Sequence, residues 1–323
     1  MVSILCYILL PVVLIAGLLR KCREYSWGRC KSKSNLEGRV FIVTGSNSGI
    51  GKEVAKELAK RKATVILACR NLQAAKATAI EIRHIAPDAQ LISMELDLAS
   101  MTSIRHFAAE VLKNFREIHV LINNAGVYAT DTALTKDGFE LHFGVNHLGH
   151  FLLTNLLLDR LKQSAPSRVV VVTSKLLESG VIDFNNLNGE KCLPVKGRMN
   201  PGYCNSKLAN AYFATELASR TEGSGVSIYI VCPGFVYTGL FRHVKRSWLH
   251  YILFSPVALL FLRTPNQGAQ TLLYCATDPD LADESGKLYR DCKVYNSKKK
   301  LEPEVAHRLW EVSKQLTGLE ETS

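Results

Sequence analysis

Apolar residues in this chain alternate between short continuous runs and longer stretches where they recur three and four positions apart. The runs are 39–44 (RVFIVT), 64–68 (TVILA), 91–96 (LISMEL), 119–123 (HVLIN), 168–174 (RVVVVTS) and 227–232 (SIYIVC). Their length and their content of Val and Ile predict buried strands. Ile50, Val54, Ala55 and Leu58, between the first two runs, predict an amphipathic helix. Strands apolar on both faces, alternating with helices, are the pattern of a parallel sheet covered on both sides. The expected fold is α/β, a single doubly wound parallel sheet with helices on both faces over residues 36–300. No long linker or internal repeat divides it. Thr264-Pro265-Asn266-Gln267 combines an N-cap threonine, a proline at the first helical position and a capping-box glutamine, which predicts a helix from Pro265. A further helix is expected at 304–316, within a C-terminal helix and tail at 301–323.

The N-terminus breaks this pattern. Residues 2–19 carry no charge and are followed at once by RKCR. A bilayer is spanned by roughly 17–25 apolar helical residues, so 1–20 is expected to be a membrane anchor helix ahead of a basic linker at 21–35. A cleaved signal peptide is the competing reading, but no basic residue precedes the run and no small-x-small site closes it. Pro11 leaves a kinked or hairpin-like insertion open. Between Arg20 and Lys33 stand six basic residues against one acid, Glu24, nearly half of the net charge of +11. Placed beside an apolar segment, that charge suits an anionic membrane surface, with the rest of the chain in the cytosol. No nucleic-acid-binding signature is present, and no nucleic-acid partner is expected. The nine cysteines include no C-x-x-C pair. They read as reduced thiols, with no metal site among them.

Candidate chemistry begins where the first strand runs into TGSNSGIG, residues 44–51. Gly45, Gly49 and Gly51 stand between a strand and a helix, where backbone must approach a pyrophosphate at a helix N-terminus. The motif is not a P-loop, because Gly51-Lys52 is followed by Glu53. The sheet is therefore expected to be of Rossmann type. NAD sites usually place an acid after the second strand. Here that strand ends Ala68-Cys69-Arg70-Asn71, and Arg70 stands where a cation could neutralise a 2′-phosphate, which argues for NADP(H). Tyr203 and Lys207, within YCNSK, would share a helix face over 202–218. The same spacing recurs at Tyr289/Lys293 and Tyr295/Lys299, so spacing alone does not select the pair. Only Tyr203/Lys207 opens a helix that follows both the glycine loop and a strand-end serine.

Read in order, TGSNSGIG (44–51), Asp97-Leu98, NNAG (123–126), VNHLGHF (145–151), Ser174, YCNSK (203–207) and PGFVYT (233–238) resemble a short-chain dehydrogenase/reductase over nearly all of 38–292. ACRN after the second strand, VNHLGHFLLT and the closing RLWEVSKQLTG (308–318) are similar to the membrane-anchored, NADP-dependent retinol dehydrogenase subgroup. The resemblance implies that Tyr203 is a general acid/base, and that Lys207 favours its deprotonated form and binds the nicotinamide ribose. It implies that Ser174 holds the substrate oxygen and that Asn146 organises a relay water near Lys207. Cofactor contacts are implied for Gly45, Ser46, Asn47, Gly49, Ile50 and Gly51 along the loop, and for Arg70. Asp97 and Leu98 would lie at the adenine, Asn124, Ala125 and Gly126 on the adenosine side, and Pro233, Gly234 and Thr238 at the carboxamide. Taken singly, Asn146 and Thr238 read as turn or capping residues, Ser174 as a satisfied hydroxyl, and Asp97 as the N-cap of a helix starting at Met101. Two features depart from the family pattern. Lys175 follows Ser174 where relatives usually carry a small or apolar residue, and 181–201 looks like an insertion beside the substrate cleft.

A second strongly apolar stretch, 248–262, is interrupted by Pro256 and follows Arg242, Lys245 and Arg246. At 15 residues it is short for a span, and it is expected to dip into membrane lipid and admit a lipophilic substrate. The alternative is a homo-oligomer interface or a cleft wall. The reading as a whole is an NADPH-dependent, reversible reductase of a hydrophobic aldehyde or ketone, retinal-like by resemblance. It would sit at the endoplasmic reticulum membrane and face the cytosol. A sterol or fatty-aldehyde reductase and a catalytically idle NADP-binding scaffold are the alternatives.

Overall fold

The computed structural model describes residues 2–131, 133–189, 200–239, 258, 260–282 and 284–319, leaving out the side chains of 2–10, 12 and 13. The chain opens with helix α1 (Val2–Ser26) and then alternates strand and helix. In order come β1 (Val40–Thr44), α2 (Gly49–Lys60), β2 (Thr64–Cys69), α3 (Leu72–Arg83), β3 (Gln90–Glu95), α4 (Met101–Asn114) and β4 (Val120–Asn123). They are followed by α5 (Gly149–Gln163), β5 (Ser167–Val172), α6 (Pro201–Arg220), β6 (Val226–Val231), α7 (Pro265–Thr277), β7 (Lys287–Arg290), β8 (Lys293–Val294) and α8 (Pro303–Thr317). The strands form one sheet in the order β3-β2-β1-β4-β5-β6-β7-β8.

Side chains alternate across each strand and feed two cores. Ile42, Val169 and Val171 pack with α4, α5, α6 and α8 on one face. Phe41, Val43, Val170 and Val172 pack with α2, α3 and α7 on the other. Burial on both faces explains why these strands read as unbroken apolar runs. All six expected strands are present. Two more were not legible, because KLYR in β7 and KV in β8 carry no continuous apolar run. β8 runs antiparallel to β7, so the sheet is parallel except at this edge. Tyr289 and Lys293 lie on these two strands, which removes the helical geometry that their spacing suggested. Tyr295 continues the same hairpin, its amide bonded to the Leu288 carbonyl at 2.7 Å.

α7 starts at Pro265 with the full capping box between Thr264 and Gln267. The N-cap of α4 is Ser100, which accepts from the Ser103 amide, so the capping reading of Asp97 is displaced. α8 locks onto the VNHLGHF segment: Trp310 packs edge-on against Phe151 at 4.9 Å, and His147 Nε2 lies 2.8 Å from Ser313 Oγ.

α1 runs to Ser26, past the expected end of the anchor at residue 20. Among the described residues, no helix is long and apolar enough to cross a membrane. The apolar side chains of 2–10, 12 and 13, on which the anchor reading mainly rests, lie outside the described set. The end of the linker is fixed to the core: Leu36 N donates to Arg61 O at 2.8 Å, and the Arg61 guanidinium holds Ser34 O, Ser32 Oγ and Thr277 Oγ1. Of the stretch 248–262 only 258 and 260–262 are described, and 190–199 of the insertion-like segment also lie outside the described residues.

Candidate active site

The sheet order reverses between β1 and β4, and a doubly wound sheet opens its ligand crevice at that switch point. Three sequence motifs meet there through their glycines. A Cβ on Gly51 would fall 2.5 Å from the Gly45 carbonyl oxygen and 2.6 Å from Asn124 Nδ2. A Cβ on Gly45 would fall 3.0 Å from Ala125 Cα, and one on Gly49 3.3 Å from Thr238 Cγ2. Gly45 and Gly49 also adopt φ of +66° and +56°, where a side chain is strained. Ser48, at the N-cap of α2, makes no side-chain capping bond, so the leading amides of that helix are open to an outside acceptor. This cradle fits a pyrophosphate.

Around the loop, Ser46 is buried with Oγ 3.3 Å from Cys69 Sγ, and the Asn47 carbonyl accepts from Thr78 Oγ1 at 3.4 Å. Ile50 is partly buried against the α2 core. Arg70 is exposed at the C-terminal end of β2. The Asp97 carboxylate accepts from Ala99 N at 3.1 Å and from Lys136 Nζ at 3.0 Å, and Leu98 is buried beside Gly149. Pro233 and Gly234 pack on Arg263, whose Nη1 donates to the Pro233 carbonyl at 3.2 Å.

Asn146 occupies a wide turn of π type, Phe143–Leu148, directly ahead of α5. Such turns recur at functional sites. Its fully buried side chain accepts from Val127 N at 2.8 Å and donates to Val127 O at 3.2 Å and Ser206 Oγ at 3.0 Å. Its carbonyl oxygen faces His150 Nδ1 at 2.9 Å. A carbonyl only accepts, so Nδ1 carries the proton and Nε2 accepts from the Thr44 hydroxyl, 3.0 Å away. Thr44 Oγ1 accepts in turn from the amides of Asn124 and Ala125, each at 2.9 Å. His150 thereby joins the Asn146 turn to the glycine loop and NNAG. Burial holds it neutral, lowered to about 4.

Tyr203 and Lys207 share one face of α6, and both are buried. Lys207 Nζ lies 5.7 Å from the centre of the Tyr203 ring and donates to the Val172 carbonyl at 3.1 Å. A Cβ on Gly126 would fall 3.3 Å from Asn146 Oδ1 and 3.6 Å from Lys207 Nζ, so NNAG, Asn146 and Lys207 converge. Burial lowers Lys207 to about 8. Burial also raises Tyr203 above the ordinary tyrosine value, while a hydrogen bond with Ser174 acts in the other direction. Burial is the largest influence on the Tyr203 phenol, and Lys207 Nζ is engaged by Val172 O. Ser174, half-buried after β5, accepts from Leu176 N at 3.3 Å, and Lys175 beside it is exposed.

The profile of the short chain dehydrogenase family matches residues 39–187. Retinol dehydrogenase 11 of Homo sapiens is 47% identical over 97% of this chain and 96% of its own length. The chain belongs to the short chain dehydrogenase family. Retinol dehydrogenase 12 of Homo sapiens is 45% identical over 95% of this chain and 94% of its own length. A solved protein from Mycobacterium paratuberculosis superposes with a TM-score of 0.67 at 34% identity, covering 89% of this chain and 96% of that one. As a member of this family, the protein is an oxidoreductase acting on CH–OH groups.

Sequence reasoning missed three residues around Tyr203 and Asn146 in this short chain dehydrogenase. Tyr128 and His142 pack edge-on against the Tyr203 ring, with centres 5.3 and 6.1 Å away. His142 Nε2 accepts from Ala129 N at 3.0 Å, and Nδ1 donates to Glu140 at 2.6 Å. Neither residue carries a spacing signal, because each reaches Tyr203 across the fold. His150 did carry one: it stands four residues after Asn146, one helical turn on.

Proposed function

We propose that this enzyme catalyses the reversible NADPH-dependent reduction of a hydrophobic, retinal-like aldehyde or ketone to the alcohol. The observation that carries this reading is the buried Tyr203, with the buried Lys207 one helical turn away on the same face of α6. Bound NADPH would supply the hydride. Burial keeps the Tyr203 phenol protonated at neutral pH, ready to pass its proton to the oxygen that becomes the alkoxide. Ser174 would hold that oxygen. Lys207, a cation below about 8, would favour the tyrosinate left behind. The Asn146 carbonyl, which accepts from His150 Nδ1, would hold the water of a proton relay to Lys207.

The glycine loop and the α2 N-terminus would take the pyrophosphate and Arg70 the 2′-phosphate. Asp97 would meet the adenine, Asn124–Gly126 the adenosine side and Thr238 the carboxamide. The names of the relatives support a retinoid substrate, and the exposed Phe235, Tyr237 and Phe261 offer it an apolar approach. The uncharged residues 2–19 support anchorage in a membrane, the endoplasmic reticulum by resemblance, with the catalytic domain in the cytosol.

The test is NADPH oxidation by the full chain in detergent micelles, with all-trans-retinal, a medium-chain aldehyde and a steroid ketone. Retinal is expected to be turned over best, and Tyr203→Phe to lose turnover while still binding NADPH. Equal turnover by the two proteins would sink the tyrosine assignment. NADPH binding without any turnover would leave a scaffold.

A further inference from the structure

The residues that follow the apolar N-terminus do not form a free basic tether. Trp27, immediately after α1, is buried, and two guanidinium groups lie over its ring, Arg20 at 4.8 Å and Arg263 at 4.9 Å. Each guanidinium has its own carboxylate: Glu24 is 2.7 Å from Arg20, and Asp291 is 2.5 Å from Arg263. Arg20 reaches further, to the Leu262 carbonyl at 2.6 Å, and Arg23 lies over the Phe261 ring at 4.3 Å.

Arg263 is the turning point of this chain of contacts. It is buried, and its guanidinium donates to the carbonyl of Pro233. Gly234, at φ +83°, makes room for it, because a Cβ there would fall 2.7 Å from the guanidinium carbon. Its backbone brackets the next residues of PGFVYT: Arg263 N donates to Phe235 O at 2.8 Å, and Tyr237 N donates to Arg263 O at 2.9 Å. Direct contacts therefore run from α1 through Trp27 and Arg263 to the segment 233–238.

We propose that Trp27 is a positioning residue for the nicotinamide cofactor, setting the 233–238 segment through Arg263. A buried guanidinium needs compensation on every side, and the indole face supplies it where Asp291 and the Pro233 carbonyl do not. Without that face, Arg263 loses the surface against which its bond to Pro233 is aligned. The N-terminal helix and the carboxamide end of the site then form one rigid joint. The proposal rests on the reading of Thr238 as a carboxamide contact.

The test measures KM for NADPH and kcat with the preferred aldehyde, using the full chain in micelles, for wild type, Trp27→Leu and Trp27→Phe. Trp27→Leu is expected to raise KM for NADPH about tenfold, the factor that ~1.4 kcal/mol produces, with kcat within about threefold of wild type. Trp27→Phe, which keeps an aromatic face, is expected to return KM to within about threefold of wild type. If Trp27→Leu shows no thermal transition, Arg263→Lys replaces it, keeping the charge but not the fork that serves Pro233 and Asp291 together, with the same expected rise. A wild-type KM in the tested variant overturns the proposal. So does a Trp27→Phe as impaired as Trp27→Leu, which would make volume rather than the ring face the cause. Failure of the wild type to bind NADPH would overturn the cofactor reading, and this proposal with it.

Discussion

His150 donates from Nδ1 to the carbonyl oxygen of Asn146 across 2.9 Å, and this bond fixes which of its nitrogens is protonated. The other nitrogen accepts from the Thr44 hydroxyl, so a second proton would have to displace that bond. Burial accordingly lowers His150 to about 4, and His147 nearby to about 3. Unfolded, each titrates near ~6.5. Across that interval the unfolded chain binds more protons than the folded one, so stability is complete above pH ~6.5 and falls as pH drops toward 4. Denaturant melts at a series of pH values should show this decline. His150→Asn, whose amide can donate to the Asn146 carbonyl but does not titrate, should make it shallower and leave the part that His147 contributes. An unchanged slope would mean that His150 is not the group responsible.

Lys207 gives a different pH signature, in rate rather than stability. Burial lowers it to about 8, so it is a cation at neutral pH and loses its charge as pH rises through 8. The rate constant kcat/KM for carbonyl reduction should therefore fall above pH 8, as the support for the developing tyrosinate disappears. Lys207→Arg keeps the cation at all these values. It should lower the rate at pH 7 through poorer fit and lose the inflection near 8. An inflection that survives in Lys207→Arg belongs to another group.

The sheet was readable in the sequence because doubly covered strands cannot hide their apolar runs, and the glycine loop because only glycine tolerates its backbone and contacts. What stayed hidden depended on contacts between distant residues. Asp97 reads as a cap until its carboxylate is found on Ala99 N and Lys136, and the true cap is Ser100. Arg20 and Arg23 read as membrane-facing charge, yet they engage Leu262 and Phe261, some 240 positions along the chain. Tyr203 and Lys207 were identifiable as a pair, but the sign of the dominant effect on Tyr203 was not. It comes from burial of the phenol, whose ring packs against Tyr128 and His142 across the fold, where no local pattern announces them.

Arg70 tests the cofactor preference. It is exposed at the end of β2, with no acid in the ACRN turn to receive a ribose 2′-hydroxyl. A 2′-phosphate bound by guanidinium makes charge-assisted, bidentate bonds of roughly 1.5–3 kcal/mol each. Arg70→Asp should raise KM for NADPH at least about tenfold and leave KM for NADH unchanged or lower. The ratio of the two kcat/KM values, measured on one aldehyde, is the readout. A ratio that does not move would remove Arg70 from the cofactor site.

Gly51 and Gly126 form a graded pair of probes for the crevice. An alanine at 51 would set its Cβ against the Gly45 carbonyl, a backbone atom that cannot withdraw without reshaping the loop. Gly51→Ala should therefore cost NADPH binding outright and lower the melting temperature, since overpacking typically costs about 1–3 kcal/mol. At Gly126 the nearest atoms are the side-chain ends of Asn146 and Lys207, at 3.3 and 3.6 Å. Those atoms can give by a few tenths of an ångström, so Gly126→Ala should fold and bind NADPH with little change. The atom that must move, Asn146 Oδ1, accepts from Val127 N and holds the turn whose carbonyl is assigned to the proton path, so kcat is expected to fall while KM for NADPH stays near wild type. Calorimetric melts beside steady-state kinetics would separate the two variants. A Gly126→Ala enzyme with full kcat would show that Asn146 and Lys207 do not need the spacing this structure gives them.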